Sequence, residues 1–251
     1  PPALAFYDAI VDADQGEGVA VLFGNYAGDN MNVKMAVQMA EDDDIEVKYV
    51  VANDDVASAP KAVKEQRHGI AGGFFMWKVG GARAAKGGSL DDVIASAQNV
   101  VNRTKSICVG LEPCVIPALG HSNFKIEDGT MEFGVGHHGE AGTKVEKLKS
   151  ASEMAQEMAE TILNDFDFEE GKEVAVMLSG LGATPVMELY VLYDEVEKVL
   201  AKAGHKVWKT YIGNYVTSLD MNGASLTIVD LDDEIKELLS EPAVPIGMKN
   251  Y

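Results

Sequence analysis

Apolar positions along the chain change their period several times, and each change marks an element. Ala3, Phe6, Ile10 and Val11 fall at helical spacing, which predicts a short amphipathic helix from Ala3 to Asp12 with Pro2 tolerated at its first turn. GVAVLFGNY (18–26) is a short β-branched and aromatic run bounded by glycines, the pattern of a buried strand. Met31, Met35, Val37 and Met39 return to helical spacing in DNMNVKMAVQMAEDD, and IEVKYVVAND is a second strand. Strand, loop, helix and strand make a βαβ unit, whose crossover requires parallel strands.

GIAGGFFMWKVGGARAAKGG (69–88) predicts a buried helix whose glycines permit close helix approach, ended by Gly87-Gly88. SLDDVIASAQNVVNRT (89–104) predicts another, with Ser89 as cap, Asp91 and Asp92 in the first turn, and a stripe of Val93, Ile94, Ala97, Val100 and Val101. After Thr104 the character changes. SICVGLEPCVIPALG carries two prolines, and NFKIEDGTMEFGVGHH (123–138) predicts two strands joined by the turn EDGT. A helix is expected from Ala151 to Leu163. A buried strand, KEVAVMLSG, follows, then a glycine loop and a helix with Thr184 as cap and Pro185 at its first position. KVWKTYIGNYVTS and ASLTIVDL are strands, Asp220 and Asn222 before Gly223 fit a hairpin turn, and DDEIKELLSE closes the chain as a helix.

The pattern gives an α/β protein of two α/β domains. The first, 1–104, holds βαβ units around a largely parallel sheet and is incomplete at its start. The second, 105–251, is mixed α/β, with its last residues returning to the first domain.

Charge narrows the partners. Over 251 residues, 21 Lys+Arg against 40 Asp+Glu leave a net charge of −19, which disfavours nucleic acid and anionic membranes. No apolar run approaches the roughly 20 residues that span a bilayer, and no secretory signal is read at the N-terminus. Cys108 and Cys114 are the only cysteines and form no CxxC pair, so reduced thiols and a cytoplasmic location are expected.

Candidate chemistry concentrates in MEFGVGHHGEAGTK (131–144). If the strand runs from Met131 to His137, His137 and His138 face opposite sides, which argues against one metal bound by both. The glycines do not match GxxxxGK[ST], so the phosphate-loop reading fails on spacing. A glycine turn with incidental histidines stays open beside an imidazole nucleophile for a carbonyl, with Glu140 near enough to orient it or hold a proton. In GNYAGDN (24–30), Asp29 or Asn30 caps the next helix, or Gly28 admits a small polar ligand whose hydroxyl gives Asp29 a proton. SGLGATP offers backbone amides to an anion or, more simply, a capped helix start.

Taken in order, GNYAGDNMN, RHGIAGGFFMWKVGGARAAKGGSL, EPCVIPALG, MEFGVGHHGEAGTK, SGLGATPVMELY and IGNYVTSLDMNGASLTI resemble the substrate-binding K subunit of dihydroxyacetone kinase. The resemblance covers nearly the whole chain. It implies that His138 forms a hemiaminal with the ketone carbon of dihydroxyacetone or a similar short ketose, and that Asp29 contacts a substrate hydroxyl and acts as base. Gly28 is then a close-approach position, and His137 takes the place of an aliphatic residue. Gly24 stands where many members carry a substrate-contacting lysine, which makes larger ketoses such as erythrulose conceivable. The resemblance also implies a homodimer and a chain that binds no nucleotide or metal itself. ATP or ADP with Mg sits on a separate helical L subunit, ADP being recharged by a phosphotransferase-system protein, and kinase activity needs that subunit. Family members carry a preceding segment with a glycine-rich run and a second active-site histidine, and this sequence starts after it. A non-catalytic paralogue that senses the ketone as a coactivator is the alternative.

Overall fold

A computed structural model describes residues 1–122, 124–167 and 171–245. The chain forms two compact units. One comprises Pro1–Asn53, Gly73–Asn102 and the described part of Asp232–Tyr251; the other comprises Asp54–Gly72 and Arg103–Leu231. The segment 54–72 thus departs from a division at residue 104, for a visible reason. Ser106 N–H donates to the Asp54 carbonyl at 2.8 Å and Val56 N–H to the Ser106 carbonyl at 3.0 Å, stitching the segment to the strand that starts the second unit. Arg67, 1 % exposed, makes a two-pronged ion pair with Asp165 at 2.7 Å. The return of the chain to the first unit begins at Asp232, while 246–251 lie outside the described residues.

The first unit opens with α1 (Ala3–Ala13), β1 (Val19–Gly24), α2 (Ala27–Asp42) and β2 (Val47–Ala52). β1 and β2 run parallel, from Val19 opposite Val47 to Gly24 opposite Ala52. The buried stripe of α2 is Val33, Ala36, Val37 and Ala40, whereas Met31 and Met35 face solvent. Small residues won the inner face because they let the helix lie close to Ile10, Val19 and Phe23. α3 (Gly73–Ala85) is the expected buried helix, and Gly87, at φ +81°, ends it in a left-handed turn. A Cβ at Gly80 would lie 2.9 Å from Leu22 Cδ1, so that glycine is needed for close approach. Before α4 (Leu90–Asn102), Ser89 and Asp92 cap each other: Asp92 N–H donates to Ser89 Oγ at 3.2 Å and Ser89 N–H to Asp92 Oδ2 at 2.9 Å.

The second unit is built on a six-stranded mixed sheet. Its elements are β3 (Thr104–Glu112), β4 (Thr130–Phe133), β5 (Lys144–Lys147), α5 (Ala151–Asp165), β6 (Glu173–Gly180), α6 (Val186–Lys202), β7 (Lys206–Gly213) and β8 (Asn222–Asp230). The spatial order is β5-β4-β3-β8-β6-β7, with β6 and β7 parallel and the other pairs antiparallel. The inner faces of α5 and α6 join the strands in one core that includes Met158, Ile162, Leu189 and Val196. α7 (Asp233–Ser240) belongs to the first unit, where Lys78 Nζ donates to the Leu238 carbonyl at 2.6 Å and Arg83 pairs with Glu234 at 2.5 Å. Among the described residues no helix is long and apolar enough to cross a membrane.

Three local expectations are corrected. NFKIEDGTMEF yields one strand rather than two: the turn forms, with Thr130 N–H donating to the Glu127 carbonyl at 3.0 Å, but Phe124 to Glu127 are irregular and Asn123 lies outside the described residues. β4 instead pairs with β3 and β5. Asp220 and Asn222 do not make a hairpin, because β6 lies between β7 and β8 and residues 214–221 are a crossover. Thr184 does not cap α6, whose first turn follows Pro185. Its hydroxyl accepts from Gly223 N–H at 2.8 Å and donates to the Gly223 carbonyl at 2.6 Å, fastening the glycine loop to β8.

Candidate carbonyl-anchoring site

β4 ends at Phe133, and the strand assumed to reach His137 stops there. Gly134 takes φ +77° and donates its N–H to the Cys108 carbonyl at 2.7 Å, turning the chain away from the sheet. Gly139, at φ +81°, makes a second turn, with its N–H on the Gly136 carbonyl at 3.2 Å. Gly136 N–H donates to the Glu140 carbonyl at 2.9 Å, and the Glu140 side chain occupies the space where a Cβ on Gly136 would stand. The glycines between 134 and 139 therefore fold a small loop that carries Glu140 back onto itself.

His138 is the exposed histidine of this loop. Its side chain is 66 % exposed, with Nδ1 3.1 Å from Glu140 Oε1, and its backbone N–H donates to Glu140 Oε2 at 2.9 Å. Burial alone would raise the Glu140 carboxyl, but the hydrogen bonds from the His138 ring and from the loop backbone outweigh it and hold the group down at about 2. An ionised carboxylate at Nδ1 selects the tautomer that carries hydrogen on Nδ1 and the lone pair on Nε2. That is the nucleophilic form of a neutral imidazole.

His137 occupies a different environment because the loop, not a strand, separates the two rings. Its Nε2 is buried without a hydrogen-bond partner among the described residues, and burial, then the neighbouring His138, push its pKa down to about 4 against a weaker pull from Glu140. Its backbone carbonyl accepts from Ser218 Oγ, a contact that nothing in IGNYVTSLDMNGASLTI signals in the sequence. Below the loop, Ala57 lies where a Cβ on Gly134 would fall, 2.7 Å away. Asp55 in the same segment is driven up to about 7, chiefly by burial and further by Asp54, against the hydrogen bond from Ala57 N–H at 3.0 Å. Nothing in its sequence context signals that shift.

Gly24, Gly28 and Asp29 stand together in the first unit. Gly24 is the last residue of β1, and α2 starts at Ala27, earlier than a cap at Asp29 or Asn30 would require. Asp29 is thus a first-turn residue, where the helix dipole favours an anion. It is half-buried, and its carboxylate makes no hydrogen bond among the described residues. Asn30 instead donates to Asn25 Oδ1 at 2.8 Å and to the Tyr26 carbonyl at 3.0 Å. A Cβ on Gly28 would meet nothing within 4 Å, so no protein contact requires glycine there. In SGLGATP the Leu181 and Ala183 amides donate to the Gly223 and Met221 carbonyls, both at 3.1 Å, and are spent on internal structure rather than on an anion. Among the described residues no group of three His, Cys, Asp or Glu side chains is placed to hold a metal ion.

The sequence matches the Dak1 domain model over residues 1–246. It is 41 % identical over 228 residues to PTS-dependent dihydroxyacetone kinase 1, dihydroxyacetone-binding subunit DhaK, of Listeria innocua, covering 91 % of this chain and 69 % of that protein. It is 37 % identical over 231 residues to D-erythrulose kinase of Mycolicibacterium smegmatis, covering 92 % of this chain and 40 % of that one. Among solved structures, the dihydroxyacetone kinase operon co-activator Dha-DhaQ superposes with a TM-score of 0.90 at 29 % identity, over 96 % of this chain and 75 % of that one.

Proposed function

The chain belongs to the Dak1 domain family, and from that premise we propose that it holds a short hydroxyketone as a hemiaminal on His138 for phosphoryl transfer by a partner. The observation that carries this reading is Glu140 Oε1 3.1 Å from Nδ1 of an exposed His138, a contact that favours the tautomer with hydrogen on Nδ1 and the lone pair on Nε2. In the proposed step that lone pair attacks the ketone carbon. A C–N bond forms, the C=O π pair moves to oxygen, and that oxygen takes a proton while Nδ1 gives one up. The net change is addition of an imidazole N–H across C=O, with no redox partner. Glu140 steadies the positive charge that builds on the ring before the proton leaves. Glycerol, lacking a carbonyl, would not be held.

Asp29, in the place of the family's Gly-Asp aspartate, would accept a substrate hydroxyl proton, with Gly28 giving room beside it. Gly24, in place of a lysine, favours dihydroxyacetone or a longer ketose such as erythrulose, in line with the likeness to an erythrulose kinase. The phosphoryl donor, ATP or ADP with Mg, would sit on an L subunit, and this chain would work as a cytoplasmic homodimer that binds neither nucleotide nor metal. A ketone-sensing coactivator is the second reading, favoured by the likeness to the Dha-DhaQ co-activator. Ketone-dependent ADP release in the presence of an L subunit, ATP and magnesium separates the two: turnover supports the kinase, and adduct formation without turnover supports the sensor.

A further inference from the structure

Two stretches outside the carbonyl chemistry, SGLGATP (179–185) and TSLDMNG (217–223), are bonded to each other and to the loop that carries His138. Ser218 N–H donates to the Leu181 carbonyl at 2.8 Å, and Ala183 N–H to the Met221 carbonyl at 3.1 Å. Gly182, at φ +130°, lies so close that a Cβ there would collide with the Leu219 carbonyl oxygen. Farther back, the buried Ser179 hydroxyl accepts from Tyr215 N–H at 3.0 Å and Val216 N–H at 3.1 Å, and Asp220 Oδ1 accepts from Val115 N–H at 2.6 Å. The crossover 214–221 is therefore held along its length. Within it Leu219 is kept at φ +53°, the left-handed region that a leucine side chain disfavours.

Next to that strained residue, Ser218 is buried and its hydroxyl donates to the His137 carbonyl. That carbonyl and the His138 N–H belong to one planar peptide unit. The N–H end donates to Glu140 Oε2 at 2.9 Å, so side chains grip the plane at both ends, Ser218 on oxygen and Glu140 on nitrogen. Fixing the plane fixes ψ of His137 and φ of His138, and with them the direction in which the His138 side chain leaves the backbone. A donor on the carbonyl also polarises the amide and strengthens its N–H as a donor to Glu140. Two other bonds fasten the loop, Gly134 N–H to the Cys108 carbonyl at 2.7 Å and Gly142 N–H to Glu132 Oε1 at 2.6 Å. Both lie at its ends and neither touches the peptide that carries the anchor.

We propose that Ser218 is a positioning residue for the carbonyl anchor, orienting the His138 ring through the His137–His138 peptide. The inference rests on the His138 reading above and adds what holds that ring in place. The strain at Leu219 fits this role, because a stiff crossover keeps the hydroxyl where it is, whereas a slack one would follow the peptide instead of holding it.

The test compares wild type, Ser218→Ala, Ser218→Thr and, as a buried hydroxyl of the first unit, Ser96→Ala. Binding of dihydroxyacetone labelled at its ketone carbon is followed by carbon-13 NMR. Nitrogen-15 NMR of histidine-labelled protein reports the share of the His138 tautomer with hydrogen on Nδ1. Ser218→Ala is expected to raise the half-saturating ketone concentration about 2- to 10-fold, the range of one neutral hydrogen bond, and to lower that tautomer's share. Ser218→Thr keeps a hydroxyl and is expected to recover most of both, and Ser96→Ala to change neither. Should the alanine variant not fold, Ser218→Cys, close in volume but a weak donor, carries the same expectation. Wild-type ketone affinity and tautomer share in a folded Ser218→Ala or Ser218→Cys overturn the inference and leave the His138 reading standing. So does a loss that Ser96→Ala matches or that Ser218→Thr shares in full. A wild type that forms no adduct removes the His138 reading and this inference together.

Discussion

Glu140 holds His138 at two points, its Oε1 3.1 Å from the ring Nδ1 and its Oε2 accepting from the backbone N–H at 2.9 Å. One carboxylate therefore fixes both the place of the residue and the tautomer of its ring. Replacing it tests the positioning role. Glu140→Gln keeps the shape but loses the charge, and a charge-assisted hydrogen bond is worth about 1.5–3 kcal/mol, or about 10- to 100-fold. The ketone adduct is expected to weaken within that range in a variant that still unfolds cooperatively, with a lowered melting temperature because the fold also gains from the ionised carboxylate. An adduct of wild-type affinity would show that Glu140 does not prepare the ring.

His137 gives a pH prediction with a defined sign. Its folded pKa is depressed to about 4 from 6.5, so between those values the unfolded chain binds the extra proton and folding stability falls as pH drops. The stability is fully present above pH 6.5. The shift corresponds to a loss on the order of 3 kcal/mol by pH 4. Asp55, raised to about 7, contributes with the opposite sign, so the comparison must be between wild type and His137→Leu. Urea melts from pH 7 to pH 4.5 should show the leucine variant gaining stability relative to wild type as pH falls. Parallel curves would contradict the burial of that ring.

Thr184 ties the glycine loop to β8 through both polar groups of Gly223. Thr184→Val leaves a buried N–H and carbonyl without that hydroxyl, which costs about 1–3 kcal/mol. Denaturant unfolding should show a loss of that size, against about 0.5 kcal/mol at an exposed position such as Thr210→Val. A loss no larger than the control would mean the hydroxyl is dispensable.

Asp29 and His138 should separate by kinetics. If Asp29 takes the substrate hydroxyl proton, Asp29→Asn lowers kcat with an L subunit by roughly 10²–10⁴-fold while the hemiaminal still forms. Equal loss of adduct and turnover would make Asp29 a binding residue only.

Much of the fold could be read from period alone. α4 shows Ser89, Asp92 and its valine stripe openly, and α5 starts with the reciprocal Ser150–Glu153 cap that an amphipathic run implies. β3 escaped because residues 104–110 are buried on both faces and so show no alternation, and because Pro113 and Pro117 close behind it suggest a loop. β5, with Lys144 and Lys147 at its ends, is a charged edge strand with no apolar signal. At the candidate site, the glycine spacing pointed to a turn and put Glu140 near enough to orient a histidine, but which ring it serves was not legible. Only the coordinates put Glu140 in the space over Gly136. The alternation that separated His137 from His138 rested on a strand that ends at Phe133. The turn at Gly134 ends the alternation before either ring is reached, and His137 Nε2 is buried while the His138 side chain is 66 % exposed.

The central claim is a covalent bond from His138 to a ketone carbon, and carbon-13 NMR reads that bond directly. Dihydroxyacetone labelled at its ketone carbon, added to the wild-type protein, should lose its carbonyl resonance and gain a protein-bound resonance in the range of a tetrahedral carbon, and His138→Ala should show neither change. A tetrahedral resonance of equal intensity in His138→Ala, or none in the folded wild type at saturating ketone, would contradict the account.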